Sequence, residues 1–177
     1  MTMRTTHLLA SASMALLAAC GGGTTTSHVG DEASDAGKCQ FNQDADVLAG
    51  INDKILSADS VAAGVAANRE SLQSFAIRTA QTPTHYKDAQ VLSCLSMSGR
   101  AYGLLTLAPQ GEGNDPLMAG EKVLERANAI CAGERADPRR CAVVQAESMV
   151  IGARRSSKEL SNLSGKSVDD QSWTAVT

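Results

Sequence analysis

Cysteine constrains this chain more than any other residue type. It occurs at positions 20, 39, 94, 131 and 141. An odd set leaves at least one thiol outside any intramolecular bridge, and bridging the others would tie together segments far apart in sequence. No C-x-x-C spacing occurs, and only His28 and His85 follow Cys20. That pattern lacks the ligand spacing of a zinc site, so no metal and no cofactor are expected. A chain of 177 residues makes one domain. At 43% hydrophobic and 20% charged, it is neither wholly disordered nor a polytopic membrane protein. Only five aromatic residues and a net charge of −3 speak against a nucleic-acid partner, which would need a basic face and stacking platforms.

The first cysteine closes a distinctive leader. Met1 to His7 carries one positive charge, Arg4, and Leu8 to Ala19 is apolar. A membrane-spanning helix needs about 20 apolar residues, so this shorter run reads as a secretory signal. Its end, Leu17-Ala18-Ala19-Cys20, resembles the lipobox of bacterial lipoproteins. The resemblance implies cleavage after residue 19 and lipid attachment at Cys20, with the membrane as a partner through the lipid. Gly21 stands where an aspartate would favour inner-membrane retention in enterobacterial lipoproteins, which points to the outer membrane, periplasmic side. Losing the leader takes the net charge from −3 to −4.

Residues 20–38 contain one large apolar side chain, Val29, and cannot bury enough surface to offset the entropy of ordering. They read as a lipid anchor and flexible tether. About eighteen such residues reach roughly 21–25 Å.

From Cys39 the spacing of apolar residues becomes helical. Val47, Leu48, Ile51 and Ile55 predict a short amphipathic helix with Asp44 and Asp46 in its first turn. Asp59 is placed to cap a second, carrying Val61, Val65, Asn68, Leu72, Phe75 and Thr79 at spacings of four and three. A third runs from about His85 to Leu107. Asp115-Pro116 and Asp137-Pro138 each set a capping acid before proline, whose missing N–H costs nothing at a helix start. The fourth helix ends near Gly133. The fifth carries Val143, Val144, Val150 and Ile151 as core candidates, with Leu160 and Leu163 adding a final turn. No hairpin signal appears. The expected fold is all-α: a disulfide-stabilised bundle of four or five helices over residues 39–163, with a loose tail over 164–177.

Once Cys20 is set aside as the lipid site, Cys39, Cys94, Cys131 and Cys141 remain, an even set in an exported chain. Four cysteines allow three pairings. The favoured one joins Cys131 to Cys141 and Cys39 to Cys94, because an antiparallel helical hairpin brings the last turn of one helix opposite the first turn of the next.

No nucleophile elbow, zinc-protease helix, phosphate loop or dinucleotide fingerprint occurs, so no catalytic residues are assigned and the chain reads as a non-enzyme. His85 with Asp88 shares a helix face, but a histidine near a helix start is more simply a capping residue. Charge is uneven. Residues 121–158 hold 8 basic and 5 acidic side chains, whereas residues 20–120 hold 6 basic and 11 acidic. Arg135, Arg139, Arg140, Arg154 and Arg155 form a candidate basic patch for a partner.

The stretch Tyr86-Lys87-Asp88-Ala89-Gln90-Val91-Leu92-Ser93-Cys94 resembles a Tyr-Lys-Asp-x-x-Leu-Ser-x-Cys segment of periplasmic immunity proteins against type VI secretion amidases. Val91 and Leu92 depart from it, standing where that family has leucine and serine. The resemblance implies a small, helical, disulfide-containing inhibitor of a delivered toxin. Two functions follow as expectations. The first is a lipid-anchored module that binds a periplasmic protein. The alternative is a structural accessory of an envelope secretion or conjugation machine.

Overall fold

A computed structural model describes residues 35, 37–108 and 115–164. The leader, Cys20, nearly all of the tether, the loop at 109–114 and residues 165–177 of the tail lie outside the described residues. Within them the chain is all-helical. Six helices follow one another: α1 (Phe41–Leu56), α2 (Val61–Ala67), α3 (Arg69–Thr79), α4 (Asp88–Leu105), α5 (Pro116–Cys131) and α6 (Pro138–Ser164). None of them is long and apolar enough to cross a membrane.

The count exceeds the expected four or five because one expected helix is two. Ser60, not Asp59, caps α2: its hydroxyl accepts from the Ala63 N–H at 3.2 Å. The helix breaks at Asn68, whose side-chain amide donates to the Gly64 carbonyl at 2.9 Å. The same carbonyl also accepts from the Asn68 N–H at 3.1 Å, and α3 begins at the next residue. At the other end of the chain, the expected final turn is no separate element. α6 runs unbroken for 27 residues. The third expected helix starts later than His85, at Asp88, where the Lys87 N–H donates to the Gln90 side chain at 3.0 Å.

Both proline starts form as capping chemistry dictates. Asp115 accepts from the Leu117 N–H at 3.0 Å, and Asp137 accepts from the N–H groups of Arg139 and Arg140 at 2.9 and 3.2 Å.

α4 is the hub. It packs on α1, α3, α5 and α6 and divides the interior into two apolar clusters. In one, Ala101 and Leu105 meet Ile51 and Ile55 of α1, Val65 of α2, and Leu72 and Phe75 of α3. In the other, Leu92 and Leu95 meet Val123 and Leu124 of α5, and Val144 and Ile151 of α6. Small residues set the closest crossings. A Cβ at Gly99 would come within 2.6 Å of Leu124 Cδ2, and one at Gly64 would come within 2.5 Å of the Ile55 backbone oxygen. Side-chain contacts fix directions: Ser93 meets Arg140 and Gly103 lies beside Ile151, so α6 runs parallel to α4. α5 and α3 run antiparallel to it.

Two disulfides lock this arrangement. Cys39 bonds to Cys94, with a Cα separation of 6.0 Å, and fastens the entry to α1 onto α4. Cys131 bonds to Cys141 at 5.6 Å and closes the α5–α6 hairpin. The two fully buried hydroxyls among the described residues are also satisfied: Ser98 donates to the Ala76 carbonyl across the α4–α3 contact, and Thr79 donates to the Phe75 carbonyl, both at 2.7 Å.

Candidate functional site: an open groove along α4

Four helices do not surround α4 completely. α1 and α6 flank it on either side without touching each other, so the face of α4 between them stays open. That face carries Ser93, Met97, Arg100 and Leu104, at spacings of four, three and four, and Leu107 follows just after the helix ends. Met97, Leu104 and Leu107 are half-buried against the α1–α3 cluster, and Arg100 is exposed. Along the α6 wall stand Arg140, Val143, Glu147, Val150 and Arg154, again at three and four.

The groove deepens at both ends. Near the start of α4 a cavity of about 370 Å³ lies between Phe41 and Ala45 of α1, Met97 of α4, and Arg140 and Val143 of α6. Beyond the end of α4 a second, of about 630 Å³, is lined by Ala62 of α2, Leu107 and Ala108 after α4, Leu117 of α5, and Arg154 and Ser161 of α6. A separate cleft of about 300 Å³ opens on the opposite side, between α3 and α5, beside Ile77, Tyr102 and Met118.

The α4–α6 side of the groove carries a cationic excess. Arg140 reaches across from α6 to donate to the Ser93 hydroxyl and also sits 3.6 Å from Asp137. Arg154 stands at the far end. Glu147 is the acid on this wall, and burial pushes its carboxyl above the usual range, with Arg100 opposing the shift. Burial likewise raises the Tyr102 phenol on the other side of α4.

The five arginines singled out from the sequence do not form one patch. Arg135, Arg139 and Arg140 cluster at the α5–α6 turn. Arg154 and Arg155 lie about 21 Å further along α6, at about 1.5 Å per residue. Arg155 turns to α5, where it pairs with Glu121, and Lys158 pairs with Asp115 at 2.8 Å. Arg140 and Arg154 face the groove and mark its two ends.

Other expected features fall as follows. The Tyr86–Cys94 stretch frames the near end of the groove. The Tyr86 ring meets Phe41 edge-on at 6.0 Å, Ser93 accepts from Arg140, and Cys94 holds Cys39. His85 lies before α4 and pairs with Asp35 at 3.1 Å rather than facing Asp88. Val143 and Val150, expected in the core, are 50% and 46% exposed; Val144 and Ile151 alone turn inward from that set. Among the described residues no group of three or more His, Cys, Asp or Glu side chains could hold a metal.

The groove's floor was not singled out from the sequence. Met97 and Leu104 sit on a helix whose charged residues are only Asp88 and Arg100, and near-uniform apolarity marks a helix with neighbours on several sides. Which of those sides lacks a neighbour is not a local property. Comparison with protein families, with curated proteins and with solved structures gives no match to this chain.

Proposed function

We propose that this chain is an outer-membrane-anchored, periplasm-facing lipoprotein whose helical domain binds another protein and acts as an inhibitor of the toxin-immunity type. One observation carries the reading: a four-turn, largely apolar groove with arginines at its ends, on a bundle locked by two disulfides. Both bridges sit at the near end of the groove, where they tie the start of α1 to α4 and the end of α5 to the start of α6, which limits rearrangement there on binding and reduces the ordering cost of association. Two disulfides suit an exported protein, and the lipobox-like Leu17-Cys20 segment supplies the anchor. The similarity around Tyr86–Cys94 supports the inhibitor class, and those residues border the groove.

The anchor is tested by Cys20→Ser. The variant should remain unprocessed or pass to the soluble periplasm; normal processing with unchanged membrane fractionation would refute the anchor. Inhibition is tested by deleting the gene and competing the strain against its parent in contact. The deletion should lose out. Equal survival overturns the immunity reading and favours the alternative of an envelope-machine accessory.

A further inference from the structure

We infer that the α4 groove receives a single amphipathic helix of a partner protein, about four turns long, apolar on one face and acidic along the flank that faces α6. This rests on the protein-binding reading above and specifies the chemistry of the partner.

The geometry comes first. The partly exposed residues on the groove floor alternate by four and three, the repeat of a seam between two packed helices. The α6 wall from Arg140 to Arg154 covers about 21 Å at 1.5 Å per residue, and the α4 floor from Ser93 to Leu104 runs beside most of it. Helices already occupy the other sides of α4, and α1 and α6 stand apart across this one. The open side has the length and the spacing of a missing helical neighbour. An extended peptide finds no sheet edge here, since the described residues contain no strand. Helix-in-groove binding is the mode that such a surface supports.

The side chains then select the guest. Met97, Leu104 and Leu107 on the floor, with Val143 and Val150 on the wall, offer half-exposed apolar surface that an apolar stripe would cover. Arg140, Arg100 and Arg154 run along the α4–α6 side of the groove with two acids, Asp137 beside Arg140 and Glu147, whereas α1 on the other side carries the exposed acids Asp46 and Asp53. Glutamates or aspartates on the guest's flank that faces α6 complement this charge and fix its register. A second copy of the chain fits poorly. Its acidic helix α1 already spends its apolar face, Leu48, Ile51 and Ile55, on its own core. The chain's residues 165–177 carry Val168, Trp173 and Val176, spaced five and three apart, which does not make a four-turn stripe.

The test uses the exported chain with both bridges closed. The probe is a labelled synthetic helix of about sixteen residues, leucine at three-four spacing with glutamate along one flank. Its twin carries lysine in place of glutamate. Fluorescence anisotropy should show binding of the glutamate peptide and little of the lysine peptide. The exposed-site variants Val143→Glu and Arg154→Glu should each weaken binding roughly tenfold or more with unchanged helicity and melting. The inference falls if the glutamate peptide does not bind, if both peptides bind equally, or if neither variant alters binding. It also falls if deleting residues 165–177 raises affinity about tenfold, because the groove would then be the tail's own. Failure here with protection intact in the competition assay removes the groove assignment alone. Peptide binding without protection removes the immunity reading alone.

Discussion

Arg78 in the last turn of α3 grips Asp44 in the first turn of α1 with both terminal nitrogens, at 2.8 and 2.6 Å. The Asp44 carboxylate is almost fully buried and also accepts from the Gln40 N–H at 2.8 Å. One carboxylate thus caps α1 and joins it to α3. The arginine stacks on Phe75 as well, 5.6 Å from the ring centre.

Removing the arginine leaves a buried carboxylate with one backbone donor. Arg78→Ala should therefore cost about 3 kcal/mol, the low end for breaking a buried pair, since Arg78 keeps some solvent contact. Urea unfolding with the disulfides closed measures it. A loss below about 0.5 kcal/mol, typical of surface pairs, would contradict the assignment.

Alanine at three helical glycines should order by what its Cβ meets. At Gly64 it meets the Ile55 backbone, which can yield only by moving α1 away from α2. At Gly99 it meets the Leu124 side chain, which can turn aside. At Gly50 nothing lies within 4 Å. Gly50→Ala should stabilise by about 0.5–1 kcal/mol through helix propensity. Gly99→Ala should cost about 1 kcal/mol and Gly64→Ala about 2–3 kcal/mol. Melting temperatures out of that order would show that the crossings are looser than the contacts indicate.

The two bridges should differ in value. The Cys39–Cys94 loop separates its cysteines by 55 positions and the Cys131–Cys141 loop by 10. In the chain-entropy description the double serine replacements lose about 4 and about 3 kcal/mol, respectively. Losing the longer bridge also frees the α1 end of the groove wall, so it should weaken peptide binding more. Equal effects on stability would mean that native-state strain or denatured-state structure outweighs loop entropy.

Glu147 makes stability pH-dependent with a definite sign. Burial raises its carboxyl above the usual 4.5. Between 4.5 and the raised value the folded chain holds more protons than the unfolded chain. The group's contribution is therefore fully present below 4.5 and is lost as pH rises through the folded value. Glu147→Gln should flatten that fall, raise the unfolding midpoint at neutral pH and leave acid stability unchanged. A lower midpoint at neutral pH would mean that attraction to Arg100 outweighs desolvation.

What could be read along the chain was whatever depends on near neighbours. Asp115-Pro116 and Asp137-Pro138 start helices because a capping oxygen and a proline act within one turn. The apolar spacing in α3, α4 and α5 assigns helix for the same reason, and the Cys131–Cys141 bridge follows from a hairpin between consecutive helices. The Asn68 break escaped that reading because the three-four repeat continues straight through it. There a side-chain bond to Gly64, together with the close approach of Gly64 to Ile55, overrides the repeat.

The site belongs to the other category. Val143 and Val144 are adjacent valines, yet one is half-exposed on the groove wall and the other is fully buried. Arg140 and Arg155 have the same chemistry, yet one faces Ser93 across α4 and the other pairs with Glu121 on α5. Sequence determines helices, caps and the thiols available for bridging, because these follow from local conformation and composition. Only the packing of α1 and α6 on opposite flanks of α4 decided which apolar stripe was left uncovered, because burial depends on neighbours that are distant along the chain.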